Sequence, residues 1–483
     1  MPVEQIRLCG HLRRYKKIVK KTYIIYYKTF KTPEACYVYD RRSNKILKIT
    51  DEAYEELSNN GLDMKKRKRF QEKGYLLEDT LEKIEHPDTE LLKHSLQSKM
   101  QYIILQVTQE CNLRCKYCVY GGGYENRTHA HEFMTWDLAQ KSLDYFLEHS
   151  GQMEELTVGF YGGEPMLQMD LIKKCVAYME MRVPDRRVGY TMTTNGTLLT
   201  VERAKYLLEK DFNVVISLDG AKEDHDKNRV FKDSGKGSFE VIMKNLNEIK
   251  KECPEFLKKV SFNTVLNSNC DFSCVRDYFS MDELMQDATY VLNLVEENGA
   301  KEEILYSDSF RIEYQYSHFL MFMYMLGKCD RKYILNSQIQ EMEYYQYIYQ
   351  TMKESDSLKK TGHHNGPCIP GGRRLFVSVA GNFYPCEKVT EGPGMRIGNI
   401  EEGIDIDASK KLLNIGAVTA EQCKDCWALR LCGQCAAKCT ENGEISCKKK
   451  LYQCVQSKQM AMNDLKVICM LREFGYDFEG EVV

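Results

Sequence analysis

Six short runs of apolar, β-branched and aromatic residues punctuate the middle of the chain, and longer mixed stretches separate them. Read by composition and length, the runs predict strands over 102–108, 157–161, 188–194, 213–218, 259–266 and 289–295. The stretches between them predict helices at 135–149, 170–182, 201–210, 238–251 and about 275–285. Alternation of this kind points to parallel strands joined by crossover helices, a partial α/β barrel over 99–300. Ahead of it, Ile18 to Tyr27 and Ala35 to Tyr39 have strand character, and Arg41-Arg42-Ser43-Asn44 turns into a third strand, Lys45 to Ile49. Thr50 or Asp51 caps a short helix over 52–57, a second follows over 64–72, and Tyr75-Leu76-Leu77 predicts a last short strand after Gly74. Residues 81–98 read as a charged linker. A helical bridge over 301–365 contains Phe319 to Met325, expected to pack against the barrel mouth, and ends in His363 and His364, expected in an exposed polar turn. From 366 to 483 the chain is rich in cysteine, with an apolar helix from Met460 to Leu471 in which Cys469 is expected to be buried packing.

Composition narrows the class. The 483 residues allow about three domains, and the net charge of −2 provides no global field for nucleic acid. The first fifty residues depart from this, with 13 Lys or Arg against 3 Asp or Glu, a local balance of +10 that suits either an acidic partner or a solvated basic face. The N-terminus lacks the apolar core of a signal peptide, and the longest apolar run is too short to span a bilayer. Twenty cysteines in a chain of this kind are better explained by reduced thiols in the cytoplasm than by a secreted disulfide scaffold.

The chemistry starts at residues 111–118, Cys-Asn-Leu-Arg-Cys-Lys-Tyr-Cys, directly after the first barrel strand. Cys111, Cys115 and Cys118 can hold three irons of a [4Fe–4S] cube and leave the fourth without a protein ligand. Structural zinc closes with four ligands, and a plant-type ferredoxin spaces its cysteines C-x4-C-x2-C. The loop also leaves a strand at its C-terminal end, where barrels build active sites. A metal knuckle of another use is the plainer alternative. The run resembles the radical SAM superfamily, which implies that S-adenosylmethionine chelates the open iron and is cleaved to a 5′-deoxyadenosyl radical. On that resemblance, Gly162, Gly163 and Glu164 form the motif that receives the methionine amino group, the glycines leaving carbonyls free to accept from it. Thr194 and Asn195 end the third strand, and Ser217 and Asp219 end the fourth, placing short polar side chains at the barrel mouth. Arg229 is the implied partner of the methionine carboxylate, its planar fork donating two parallel hydrogen bonds. Asn263 and Val265 resemble the segment lying against adenine, and Tyr117 the aromatic residue at the adenine edge.

The C-terminal cysteines run Cys368-x12-Gly381-x4-Cys386, then Cys423-x2-Cys426-x5-Cys432-x2-Cys435-x3-Cys439, then Cys447 and Cys454. This array resembles the SPASM domain, which implies two auxiliary [4Fe–4S] clusters; a zinc ribbon is the alternative. The resemblance assigns Cys423, Cys426, Cys432 and Cys454 to an outer cluster. Cys368, Cys386 and one or both of Cys435 and Cys439 go to an inner one. The usual run ends x3, not x2, which leaves Cys435 and Cys439 competing.

The first eighty residues resemble the winged-helix module called the RiPP recognition element, which implies capture of a leader peptide by strand addition. The whole resembles radical SAM maturases of cysteine-rich ribosomal peptides. That implies intramolecular thioether formation on a ribosomal precursor, with an electron donor such as flavodoxin or ferredoxin and no nucleic-acid or membrane partner. Two rivals stand beside it. One is an anaerobic sulfatase-maturating type, in which an aspartate after the cysteine of G-x4-C acts as base; Glu387 occupies that position here, as base or as a bystander charge. The other is a non-catalytic peptide-binding scaffold stapled by clusters.

Overall fold

The computed structural model describes residues 25–59, 63–124, 127–268, 270–286, 288–295 and 300–479. Six parallel strands, Tyr102–Thr108, Glu155–Gly162, Arg187–Thr194, Phe212–Ser217, Val260–Leu266 and Thr289–Leu294, lie side by side in sequence order. Helices Trp136–Glu148, Met169–Arg182, Val201–Glu209, Phe239–Glu252 and Phe272–Met281 connect them. Burial alternates along Val260–Leu266 but is almost unbroken along Tyr102–Thr108, the pattern of a strand covered on both faces.

The sheet continues past this first strand. Leu375–Val377 pairs parallel to Ile103, Ile104 and Leu105. Asn382–Tyr384, Gly398–Asn399 and Gly403–Ile404 then extend the sheet antiparallel, making ten strands among the described residues. The cysteine-rich region is therefore built onto the barrel's edge, sharing its core through Leu375, Phe376, Val377 and Phe383.

The N-terminal module is a three-stranded antiparallel sheet, Tyr27–Lys31, Cys36–Asp40 and Lys45–Ile49, followed by helices Asp51–Ser58 and Met64–Glu72. Thr50 caps the first, its hydroxyl accepting from the Ala53 N–H at 3.2 Å. Of the expected strand over 18–27, residues 18–24 lie outside the described residues. The strand expected at Tyr75–Leu77 does not form. Leu76 is buried with φ of 49°, its N–H donating to Asp40 Oδ2 at 3.2 Å, and that left-handed turn ends any extended run.

Three further expectations are corrected by packing. The charged stretch 81–98 is no free linker: Lys83–Ile84 pairs with Thr361–Gly362, and helix Leu92–Ser98 buries Leu92 and Leu96, four apart on one face. Phe319 to Met325 does not cap the barrel mouth. Helices Asp308–Met325 and Ser337–Glu354 meet the N-terminal sheet and the long helix Cys447–Glu473 in a second core of Phe30, Tyr37, Tyr39, Met321, Met342 and Leu465. His363 and His364 are buried, not exposed. His363 Nε2 accepts from the Gly416 N–H at 2.8 Å, and a Cβ on Gly416 would stand 2.4 Å from that nitrogen. Cys469 is buried in the second core as packing. No described helix is long and apolar enough to cross a membrane.

One buried pair fastens the module to the cysteine array. Arg41, fully buried, meets Asp79 at 2.5 Å and donates through Nη1 to the carbonyls of Lys424 and Cys426 at 2.5 and 2.9 Å. Replacing Asp79 by Ala strands that guanidinium, which is expected to cost about 3–5 kcal/mol. Chemical denaturation should show the loss, and limited proteolysis should release the N-terminal module first.

Candidate active site

The ends of all six barrel strands and the segment after Cys386 enclose a cavity of about 430 Å³, within the usual size of small-ligand sites. Cys111, Cys115 and Cys118 form one wall, and Gly162, Gly163, Thr194, Asn195, Ser217, Arg229, Asn263 and Val265 line the rest with Tyr117 and Glu387. Glu164 and Asp219 are not on the wall. They stand behind it and hold it in shape.

The two glycines are required by the chain's own backbone. Gly162 has φ of 137°, and a Cβ there would lie 2.0 Å from the Thr108 carbonyl oxygen; one on Gly163 would lie 2.2 Å from that of Glu110. The Gly163 and Glu164 N–H groups donate to those same carbonyls at 2.9 and 3.0 Å. The second strand is thus clipped to the residues that launch the cysteine loop. Glu164, fully buried, accepts from Thr194 Oγ1 at 2.7 Å, Met166 N at 3.0 Å and Asn195 N at 2.7 Å. Burial raises its pKa against these three donors.

Asp219 gathers three wall residues. It accepts from Arg229 Nε at 2.9 Å, from the Val265 N–H at 3.1 Å and from the Tyr117 hydroxyl. The Arg229 guanidinium lies 5.4 Å from the Tyr117 ring centre, and its Nη1 reaches Cys115 Sγ at 3.8 Å. His225 Nδ1 accepts from the Asp219 N–H at 3.3 Å; burial, then Arg229, lower its pKa to about 3.

The cysteine loop fits an iron–sulfur cube. Its three sulfurs face one cavity, and N–H donors from Leu113 and Asn195 approach Cys111 Sγ at 3.4 and 3.8 Å, as Arg229 does Cys115. Such donors suit thiolate ligands and tune the cluster they hold.

A second polar network passed unnoticed in the sequence. Arg127 Nη2 donates to the Glu387 carbonyl at 2.9 Å, and its Nε lies 3.6 Å from Glu391. Glu391 also accepts from Gln106 Nε2 and Tyr120 OH, each at 3.0 Å, while Gln106 Oε1 takes the Val379 N–H at 3.0 Å. Gln106 alone could have flagged it, being a long polar side chain inside an apolar strand. The network fixes Glu387, whose Oε1 accepts from Arg374 Nη1 at 2.7 Å and whose buried Oε2 has no hydrogen-bond partner among the described residues.

The remaining cysteines sort by proximity. Burial pushes the Cys386 thiol up to about 11, with Glu387, Cys368 and Cys435 adding to the shift. Burial also raises Cys432 to about 11, where Cys426 and Cys423 are the sulfur neighbours; Cys426 neighbours Cys423 and Cys454. Cys439 is fully buried between the sets, near Cys435, Cys432 and Cys454, its Sγ–H donating to the Cys435 carbonyl at 3.3 Å. Among the described residues no three His, Cys, Asp or Glu side chains close on a single metal ion.

Residues 105–269 match the model of the Radical SAM superfamily. The cysteine-type anaerobic sulfatase-maturating enzyme of Clostridium perfringens is 26% identical over 373 residues, covering 74% of this chain and 95% of that enzyme. The radical SAM cyclopropyl synthase TigE of Paramaledivibacter caminithermalis is 23% identical over 384 residues, covering 77% of this chain and 75% of that one. The solved structure of native anSMEcpe with bound AdoMet and Cp18Cys peptide aligns with a TM-score of 0.53 at 20% identity, over 75% of this chain and 99% of that one. The fold is the α/β radical SAM fold, and the chain is an enzyme of radical SAM type, similar to anaerobic sulfatase-maturating enzymes.

Two outcomes follow from this geometry. Gly162→Ala should abolish S-adenosylmethionine binding by equilibrium dialysis, because the new methyl must displace the Thr108 backbone. Buried, neutral His225 and His363, with pKa values lowered to about 3 and 4, make stability pH-dependent. Their contribution is complete above the unfolded value of about 6.5 and is lost as pH falls towards 4 and then 3, since the unfolded chain binds more protons there. Urea midpoints should drop across that window, and His225→Asn should flatten the drop.

Proposed function

We propose that this enzyme oxidises a thiol-bearing ribosomal precursor peptide, joining a cysteine sulfur to a carbon of the same peptide as a thioether. When bound, the [4Fe–4S] cluster with S-adenosylmethionine supplies hydrogen-atom abstraction from that carbon, and auxiliary clusters supply an electron acceptor. Cys111, Cys115 and Cys118 would hold the first. Cys423, Cys426, Cys432 and Cys454 would hold the outer auxiliary cluster, and Cys368, Cys386 and Cys435 the inner one. Cys439, buried behind Cys435, is the fourth candidate there, and an inner cluster without it would keep one iron open to a substrate thiolate.

Glu387 carries the reading. Arg374 orients its carboxylate and Arg127 holds its backbone carbonyl on the wall shared with the three loop cysteines, leaving Oε2 without a partner among the described residues. A carboxylate so placed is suited to take the proton of a substrate thiol as the carbon–sulfur bond forms. A leader peptide would add to the N-terminal sheet, where Tyr27–Lys31 and Lys45–Ile49 are the outer strands among the described residues.

A second reading, formylglycine formation, is favoured by the similarity spanning 95% of a sulfatase-maturating enzyme. It would use the same thiol proton and the same glutamate. Mass spectrometry separates the two: a thioether removes two hydrogens and keeps the sulfur, whereas formylglycine removes two hydrogens and also replaces sulfur by an oxygen from water, the sulfur leaving as sulfide. The test offers the enzyme a cysteine-rich precursor and a sulfatase-type peptide. In either case Glu387→Gln should lower peptide product by roughly 10²-fold or more while 5′-deoxyadenosine formation without product persists. Unchanged product formation would remove Glu387 from the role.

A further inference from the structure

Lys450 is 1% exposed, in the first turn of helix Cys447–Glu473. A buried ammonium is costly unless an opposite charge or several acceptors receive it. Among the described residues no carboxylate pairs with it, and the acceptor its Nζ reaches is Cys423 Sγ, at 3.9 Å. One turn along the helix, Cys454 lies on the same face, its Sγ–H donating to the Lys450 carbonyl at 3.5 Å and its sulfur accepting from Gln434 Nε2 at 3.7 Å. The helix start thus turns a cation, a cysteine and the positive end of its own dipole towards one set of sulfurs.

We infer that the counter-charge of Lys450 is the outer auxiliary cluster itself, and that Lys450 raises that cluster's reduction potential. This rests on the ligand set Cys423, Cys426, Cys432 and Cys454 proposed above. A cube with four thiolates is net negative and gains a further negative charge on reduction, so a fixed cation with an N–H···S contact favours the reduced form. Lys450 belongs to no cysteine motif, yet it would set how readily that cluster takes an electron.

The test is a redox titration, followed by electron paramagnetic resonance, of the full chain with its clusters reconstituted. Lys450→Met and Lys450→Gln should both shift the outer cluster's midpoint to lower potential, while Lys450→Arg stays near wild type and the Cys111–Cys118 cluster is unmoved. Glutamine matters because it keeps an N–H donor without charge. A wild-type midpoint in Lys450→Gln would overturn the charge argument, and one in Lys450→Met would overturn the whole role. A wild-type chain that assembles no cluster on those four cysteines would overturn the ligand set first, and this role with it. An equal shift in all clusters would mark a general loss of structure and refute a local effect.

Discussion

Three residue pairs, Leu375 to Val377 against Ile103 to Leu105, join the cysteine-rich region to the barrel, and much of the active site depends on that seam. Parallel pairing fixes register, and a slip of one residue would turn every side chain to the opposite face. In this register Val379 N–H meets Gln106, Tyr384 OH donates to the Glu391 carbonyl, and Glu391 meets Tyr120 of the cysteine loop. Cys386 and Glu387 are carried on the same short hairpin. Glu387 therefore reaches the cavity from a segment that continues the barrel sheet, with Cys386 beside it.

Around this seam the molecule uses buried charge for position. Arg229 with Asp219, Arg127 with Glu391, and Arg41 with Asp79 are all nearly excluded from water. Pairs of this kind add little net stability compared with apolar packing, yet breaking one is expensive. Their value lies in direction. Asp219 orients three wall residues, Arg127 orients Glu387, and Arg41 grips the carbonyls of the Cys423–Cys426 loop.

The barrel was legible because short apolar and β-branched runs recur between helix-length stretches; Tyr102–Thr108, buried on both faces, matches its expected bounds to the residue. Ten of the twelve residues expected at the cofactor and base line the cavity, whereas Glu164 and Asp219 act from behind it. A motif tells which residues share a site, but not which touch the ligand and which brace those that do. Tertiary context hid the rest. His363 and His364 stand among Gly and Asn like turn residues, and only the missing side chain of Gly416 makes room for the His363 ring. Leu92 and Leu96 were masked by the lysines and glutamates around them. Leu76 takes a left-handed turn that no composition signals, held by Asp40 from a strand 36 residues away.

The second core gives the N-terminal module its relation to the chemistry. Phe30, Tyr37 and Tyr39 pack with residues of the two bridge helices and with Leu465, Ile468 and Cys469 of the last helix. That last helix begins at the cysteine array, with Lys450 and Cys454 in its first two turns. Close-packed interiors transmit displacement because they have few voids in which to absorb it. The N-terminal sheet and the last helix are therefore seated in the same core, and Arg41 ties that sheet to the Cys423–Cys426 loop, so a displacement of one is passed to the other.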